Sequence, residues 1–173
     1  ESYEEALSLN ECLPHAWMGM GNASLAMEEY EDARRFYQNA QGQGLAQAGG
    51  EGLLNALLAQ SQGSLGRGSF EEAYSASSEA LALAPQDSRF REIRCSALAG
   101  MGRTEDALSC YDQIPSSGQS SAKAKKAKSL LLTRLGEREL AAGNVSLALE
   151  WLEQARLIDP QNQDAVRGQA MAL

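Results

Sequence analysis

The chain has 173 residues, 43% of them hydrophobic, which suits one ordinary domain or a short array of small repeats. No stretch approaches the roughly 20 apolar residues that a membrane span requires, and the N-terminal residues lack the pattern of a signal peptide. The formal net charge of −8 disfavours nucleic acid as a partner, because its recognition usually needs a basic face.

Three cysteines, Cys12, Cys95 and Cys110, stand at irregular spacing. An odd number of cysteines without regular spacing does not predict a disulfide framework and favours a reducing compartment. The composition therefore predicts an intracellular, cytoplasmic protein.

The chain begins with a segment that recurs further along. Tyr3 and Ala6 stand 34 residues before Tyr37 and Ala40. Because a fixed period inside helix-forming sequence indicates a copied structural unit, residues 1–13 are predicted to form the second helix of a partial repeat.

Residues 14–47 form the clearest complete repeat. Two stripes of mostly small or apolar residues have the i, i+3, i+4 and i+7 spacing typical of amphipathic helices: Trp17, Met20, Gly21 and Ser24, then Tyr30, Ala33, Tyr37 and Ala40. Glu28 and Glu29 leave room only for a tight turn between them. The two helices are therefore predicted to be antiparallel neighbours.

Three more copies are predicted at residues 54–87, 88–121 and 129–162, followed by the first helix of a partial repeat at 163–173. One position of the first helix is always small, which lets the second helix approach closely: Gly21, Ser61, Cys95 and Gly136. Glycines are expected at the turns between paired helices, where a left-handed backbone is easiest for this residue: Gly68, Gly102 and Gly143. The whole chain is thus predicted to be a single array that begins and ends within a repeat.

Two junctions between repeats are longer than the others. Ala33 and Ala73 stand 40 residues apart, and Ala107 and Ala148 stand 41 apart, instead of 34. The extra residues are rich in glycine at the first junction and in serine at the second. They predict either longer loops or lengthened first helices, and an irregular superhelical twist.

The repeats resemble the tetratricopeptide repeat (TPR) family. The family pattern of Trp, Leu-Gly, Tyr, Ala, Phe or Tyr, Ala and Pro is represented here by Trp17, Met20-Gly21, Ser24, Ala33, Tyr37 and Ala40, with Leu45 in place of the proline. The last full repeat keeps Leu135-Gly136, Ala148, Ala155 and Pro160. The resemblance covers nearly the whole chain. It implies an all-α, right-handed solenoid of antiparallel helix pairs, a TPR superhelix, that acts as a protein-interaction scaffold.

Motifs that would indicate an enzyme, a metal or a cofactor are weak. His15 is the only histidine, and with Cys12 it makes a Cys-x-x-His pair that lacks further zinc ligands at a recognisable spacing. The glycine-rich segment at 49–52 is not followed by Gly-Lys-Ser/Thr, so it does not predict a phosphate-binding loop. The sequence therefore predicts no catalytic residue, no metal site and no cofactor.

The resemblance implies that the first helices line a concave groove that holds an extended peptide or a helix of a partner protein. Alignment of the repeats places twelve residues in that groove: His15, Met18, Asn22, Leu25, Asn55, Leu58, Gln62, Arg89, Glu92, Ser96, Thr133 and Glu137. Polar side chains with apolar interruptions suit a peptide held by amides and a few pockets. The clamp with which some TPR proteins bind chaperone C-termini is absent, since Met18, Ala59 and Ile93 replace its polar residues.

Other interpretations stay open at this stage. The chain could assemble into a homo-oligomer through its repeat ends and its convex face, where Phe36 and Trp151 occupy equivalent positions. It could also be a regulatory TPR region of a larger protein. The only run of lysines, residues 123–128, is either a solvated helix start or a small patch for an acidic partner.

Overall fold

The computed structural model describes residues 13–114 and 119–172, and the regular structure in those two ranges is entirely helical. The helices are α1 (Pro14–Ala26), α2 (Tyr30–Gly42), α3 (Ala46–Arg67), α4 (Phe70–Leu83), α5 (Ser88–Gly100), α6 (Thr104–Asp112), α7 (Gln119–Ala141), α8 (Val145–Ile158) and α9 (Gln163–Ala172). The helix predicted within residues 1–13 lies outside the described residues, apart from Leu13.

The chain divides into two compact units, Glu1–Phe90 and Arg91–Leu173. In the first unit α1 packs on α2, α2 on α3 and α3 on α4, and α1 also contacts α3. In the second unit α6 contacts α7, α7 packs on α8, and α9 packs on both α8 and α7. Helices joined by short turns and packed on their neighbours are antiparallel, so the predicted all-α fold of sequential helix pairs is confirmed.

The seam within each pair is built from small residues. Ala33, Ala73, Ala107 and Ala148, which occupy one position of the four second helices, are all completely buried. The absence of a long side chain there lets the two helix backbones approach. The predicted apolar stripe therefore does form the contact between paired helices.

A large side chain of the second helix fills the space between two successive first helices. A Cβ atom added to Gly21 would lie 2.6 Å from Cε1 of Tyr37, and one added to Gly52 would lie 2.5 Å from its Cδ1. In the second unit Leu152 takes this place: a Cβ on Gly136 would be 2.6 Å from its Cγ, and one on Gly168 would be 2.9 Å from its Cδ2. Glycine is required at these positions because any larger residue would collide with the inserted side chain.

The extra residues at the two long junctions extend the first helices. Helix α3 has 22 residues and α7 has 23, whereas α1 and α5 have 13 each. The glycine-rich segment lies inside α3, where a Cβ on Gly49 would be 2.7 Å from the carbonyl oxygen of Tyr37. Of the two alternatives that the sequence allowed, the lengthened helix is therefore correct, and its glycines permit close packing on α2.

The turns within the pairs share one left-handed residue. Gly68, Gly102 and Gly143 have φ angles of +78°, +75° and +81°, as the sequence predicts for these glycines. Glu28 occupies the equivalent place between α1 and α2 with a φ of +61°. The first turn thus has the same geometry as the others but carries a residue with a Cβ in an unfavourable conformation.

The number and spacing of the cysteines predict no disulfide framework, but the structure contains one disulfide. Cys95 on α5 and Cys110 on α6 form a disulfide, with their Cα atoms 5.4 Å apart. Cys95 occupies the position of Gly21 and Gly136, at which the first helix contacts the second helix of its pair in the other repeats. The inference of a reducing compartment depended on unpaired cysteines, so it no longer has that support.

Candidate functional site

Seven of the predicted groove residues lie on α1 and α3, which contact each other in the first unit. Four of them are exposed and polar, and three are half-buried and apolar. The apolar side chains, Met18, Leu25 and Leu58, pack against one hydrophobic core cluster. The exposed members are His15, Asn22, Asn55 and Gln62. We call these seven residues the first-helix surface.

Asn22 is held in place by the second helix of its own repeat. The hydroxyl of Tyr37 donates a hydrogen bond of 2.8 Å to Oδ1 of Asn22. Burial of the Tyr37 ring raises the pKa of this hydroxyl, so it stays protonated and available as a donor. The bond fixes the orientation of an exposed amide before any partner arrives.

The same contact recurs in the second unit. The hydroxyls of Ser96 and Tyr111 lie 3.0 Å apart and share a hydrogen bond, and these residues occupy the positions of Asn22 and Tyr37. Burial raises the pKa of Tyr111; the Ser96 hydrogen bond opposes this, and the Glu92 carboxylate adds to it. Two predicted groove residues are therefore also internal hydrogen-bond partners, which the alignment alone did not show.

Arg89 is already engaged in an ion pair. Its Nη2 lies 2.7 Å from Oδ2 of Asp87, and its backbone N–H donates a 3.0 Å bond to Oδ1 of the same residue at the start of α5. The hydrogen bonds from Arg89 hold the pKa of the Asp87 carboxyl below its usual range. A partner carboxylate would have to compete with Asp87 for this guanidinium.

The remaining groove residues belong to the second unit and differ in exposure. Glu137 is exposed, and Glu92 and Ser96 are half-buried. Thr133, by contrast, is only 1% exposed. Its hydroxyl donates a 2.9 Å bond to the carbonyl of Ser129 and accepts one of 2.9 Å from Asn162. The predicted groove position of Thr133 is therefore wrong, and Thr133 is an internal residue. Helix α9 packs on α7, and Asn162, just before α9, donates a hydrogen bond to Thr133.

The two aromatic residues considered for a convex contact surface are both half-buried. Phe36 stacks on Trp17, with ring centroids 5.7 Å apart. Trp151 packs against a core cluster of the second unit and also lines an open recess with Leu108, Leu135 and Leu147. Sequence reasoning found Trp151 but missed this recess, whose members come from three different helices.

The lysine run does not present a common surface. Lys128 is ion-paired with Asp112, whereas Lys123, Lys125 and Lys126 are exposed on α7. Within residues 13–114 and 119–172, no group of three or more His, Cys, Asp or Glu side chains is placed to hold a metal ion. No helix in this part of the chain is long and apolar enough to cross a membrane.

Helix pairs packed in sequence around small residues, with one left-handed residue in each turn, constitute a TPR-type fold. No protein-family model and no curated protein matches the sequence. Similar proteins are found among solved structures.

The chain is similar to the crystal structure of YrrB, described as a TPR protein with an unusual peptide-binding site, at 21% identity and a TM-score of 0.48, covering 97% of this chain and 80% of that one. It is similar to yeast Tom70 at 18% identity and a TM-score of 0.44, covering 98% of this chain but 34% of Tom70. The third is TTC0263, a thermophilic TPR protein of Thermus thermophilus, at 20% identity and a TM-score of 0.37, covering 98% and 86% of the two chains.

Proposed function

We propose that this chain is a protein-interaction scaffold that binds a peptide or a helix of a partner protein on its first-helix surface. The observation that carries the proposal is that an oriented polar side chain and half-buried apolar side chains lie on the same surface. Asn22 is oriented by Tyr37, while Met18, Leu25 and Leu58 leave half-buried apolar surface beside it. In such an arrangement the polar groups fix the position of a bound peptide by hydrogen bonds, and the apolar surface offers shallow pockets for its side chains.

The chemistry of the surface favours a partner segment in an extended conformation, whose backbone N–H and C=O groups can form hydrogen bonds with it. Asn55 and Gln62 are exposed, and their side chains make no hydrogen bond within the described parts of the chain. Each side-chain amide can donate and accept, so it can pair with a peptide group of a partner. Their spacing of seven residues places them on one face of α3, two turns apart.

A capture experiment with matched variants tests the proposal. Proteins retained from a cell extract by the wild-type chain are compared with those retained by the triple variant Asn22→Ala, Asn55→Ala and Gln62→Ala. We expect the triple variant to lose the specific partners, because it removes polar groups that a peptide would contact. Undiminished capture by a folded triple variant would contradict binding at the first-helix surface.

Asn22 needs a separate control, because its replacement also removes an internal hydrogen bond. Tyr37→Phe deletes the same bond of 2.8 Å but leaves the amide of Asn22 on the surface. We expect Tyr37→Phe to capture partners nearly as well as the wild type. If it lost them as completely as the triple variant, the effect would belong to the helix pair and not to the surface.

Self-association is a second candidate function, and one observation favours it. Val145 and Met171 are 42% and 76% exposed and line one open surface together with Gly168 of α9. A second copy of the chain could cover this surface. Sedimentation velocity over a range of concentrations tests this: Met171→Glu should reduce association, and a wild-type chain that stays monomeric would contradict it.

A further inference from the structure

Two recesses occupy equivalent places in the two units. Each lies where the turn of one helix pair meets the next pair, with volumes of about 520 Å³ in the first unit and about 470 Å³ in the second. Aligning the repeats makes Gln60 equivalent to Leu135, and Glu72 equivalent to Leu147. The two units therefore contain two versions of one recess, whose lining residues can be compared directly.

Polar contacts join the residues around the first recess. Arg34 donates to Glu31 at 3.0 Å and, through Nη2, to both carboxylate oxygens of Glu79 at 2.5 Å. Gln60 donates to Glu31 at 3.2 Å, and Ser64 donates to Glu72 at 3.1 Å. Charged and amide groups that bond to one another in this way offer little to an apolar ligand.

In the second recess, leucine replaces three members of this network, Arg34, Gln60 and Glu72. Leu108 stands where the first unit has Arg34, and Trp151 stands where it has Ala76. Together with Leu135 and Leu147 they line the cavity, and Leu147 is 40% exposed. Apolar surface that remains open to water is stabilised when a ligand covers it.

The charges at the rim favour a basic ligand. Arg103 is paired with Asp106, and Arg138 is paired with Glu139. Glu105 is exposed, lines the recess and has no ion-pair partner in the described ranges. The net charge of the whole chain is −8, which adds a long-range attraction for cations.

We propose that the second recess is a binding site for a peptide segment that inserts one leucine-sized or aromatic side chain against Trp151 and carries a lysine or arginine next to it. The apolar side chain fills the cavity between Leu108, Leu135 and Leu147. The neighbouring cation pairs with Glu105. This site is distinct from the first-helix surface, because it involves other residues and a different unit of the chain.

Binding of short synthetic peptides tests the site directly. The probe is acetyl-Ala-Lys-Leu-Lys-Ala-amide; two comparison peptides replace its leucine by serine or both lysines by glutamate. In a Trp17→Phe protein Trp151 is the only tryptophan, since the chain has two. We expect the probe to shift the indole NMR signal of Trp151 saturably. The serine peptide should bind at least about tenfold more weakly, because it loses one buried apolar side chain.

Variants of the protein locate the binding. Leu147→Glu introduces the residue that stands at this position in the first unit, and we expect it to abolish the Trp151 shift. Leu157→Glu is the matched control, because Leu157 is 73% exposed in the same unit and does not line the recess. Glu105→Lys should weaken binding of the lysine peptide and strengthen binding of the glutamate peptide. Unfolding of the protein would not produce this reversal.

Three results would overturn the proposal. The first is the lack of a saturable shift at millimolar probe, and the second is a shift that survives Leu147→Glu. The third is concentration-dependent dimerisation that Leu147→Glu abolishes, which would make a second copy of the chain the occupant. Loss of capture in the Asn22, Asn55 and Gln62 variant bears only on the first-helix surface, so the two proposals fail independently.

Discussion

The ring of Tyr37 lies directly against Gly21, so closely that a Cβ on Gly21 would be 2.6 Å from the ring atom Cε1. This contact joins the two helices of the first repeat. Because Tyr37 is 1% exposed and is also hydrogen-bonded to Asn22, its ring has little freedom to move away.

Gly21→Ala should therefore destabilise the chain. The added methyl group overpacks the seam, which typically costs about 1–3 kcal/mol in the free energy of unfolding. Gly42→Ala is the control, because Gly42 is helical and a Cβ there would have no atom within 4 Å. Urea denaturation of both variants measures the difference. Equal stability of Gly21→Ala and the wild type would contradict the close packing of α1 on α2.

Glu28→Gly should stabilise the chain. Glu28 has a φ of +61°, in the place where the other three turns have glycine. Relief of the strain of this left-handed conformation should increase the free energy of unfolding. After the opposing effect of the greater freedom of glycine in the unfolded chain, the net gain should be about 0.5–1 kcal/mol. Thermal unfolding should show a Tm higher by about 1–4 °C. Glu29→Gly, at a residue with a φ of −84°, should give no such gain.

Removal of the disulfide should lower the stability of the second unit. Cys95 and Cys110 are 15 residues apart in sequence, and closing a loop of that length is worth about 3 kcal/mol in the chain-entropy description. The double variant Cys95→Ser and Cys110→Ser, or a strong thiol reductant, should therefore lower the Tm. Cys12→Ser should leave it unchanged. If reductant had no effect on the wild-type Tm, the crosslink would not be formed in solution.

Acid should weaken the start of α5. The Arg89 hydrogen bonds hold the pKa of Asp87 below its ordinary value of about 4, so the folded state binds the proton less readily than the unfolded state does. The stabilisation is therefore present above that ordinary value and is lost as the pH falls through the lowered pKa. Asp87→Asn should be less stable than the wild type at neutral pH, and the difference should shrink as the pH falls below the ordinary aspartate pKa of about 4. A difference that stayed constant with pH would rule out this ion pair.

The recurrence of small residues was enough to predict the helix pairs, because a 34-residue period and a 3.6-residue period together specify which residues meet. Both periods place Ala33 and Ala107 between paired helices, and both residues are buried there. Thr133 was misplaced because the period does not show how α9 packs on the lengthened α7. The Cys95–Cys110 bond was missed because pairing depends on the distance between two helices, which spacing along the chain does not give.

The most direct test of the account is to map where a bound peptide lies. A peptide selected from a random library on the immobilised wild-type chain is titrated into the isotope-labelled protein, and the backbone NMR signals are followed. We expect the largest shifts on the exposed face of α1 and α3, around Asn22, Asn55 and Gln62, and we expect Asn55→Ala with Gln62→Ala to weaken binding. Shifts that leave these two helices unaffected would contradict the first-helix surface as the site of partner binding.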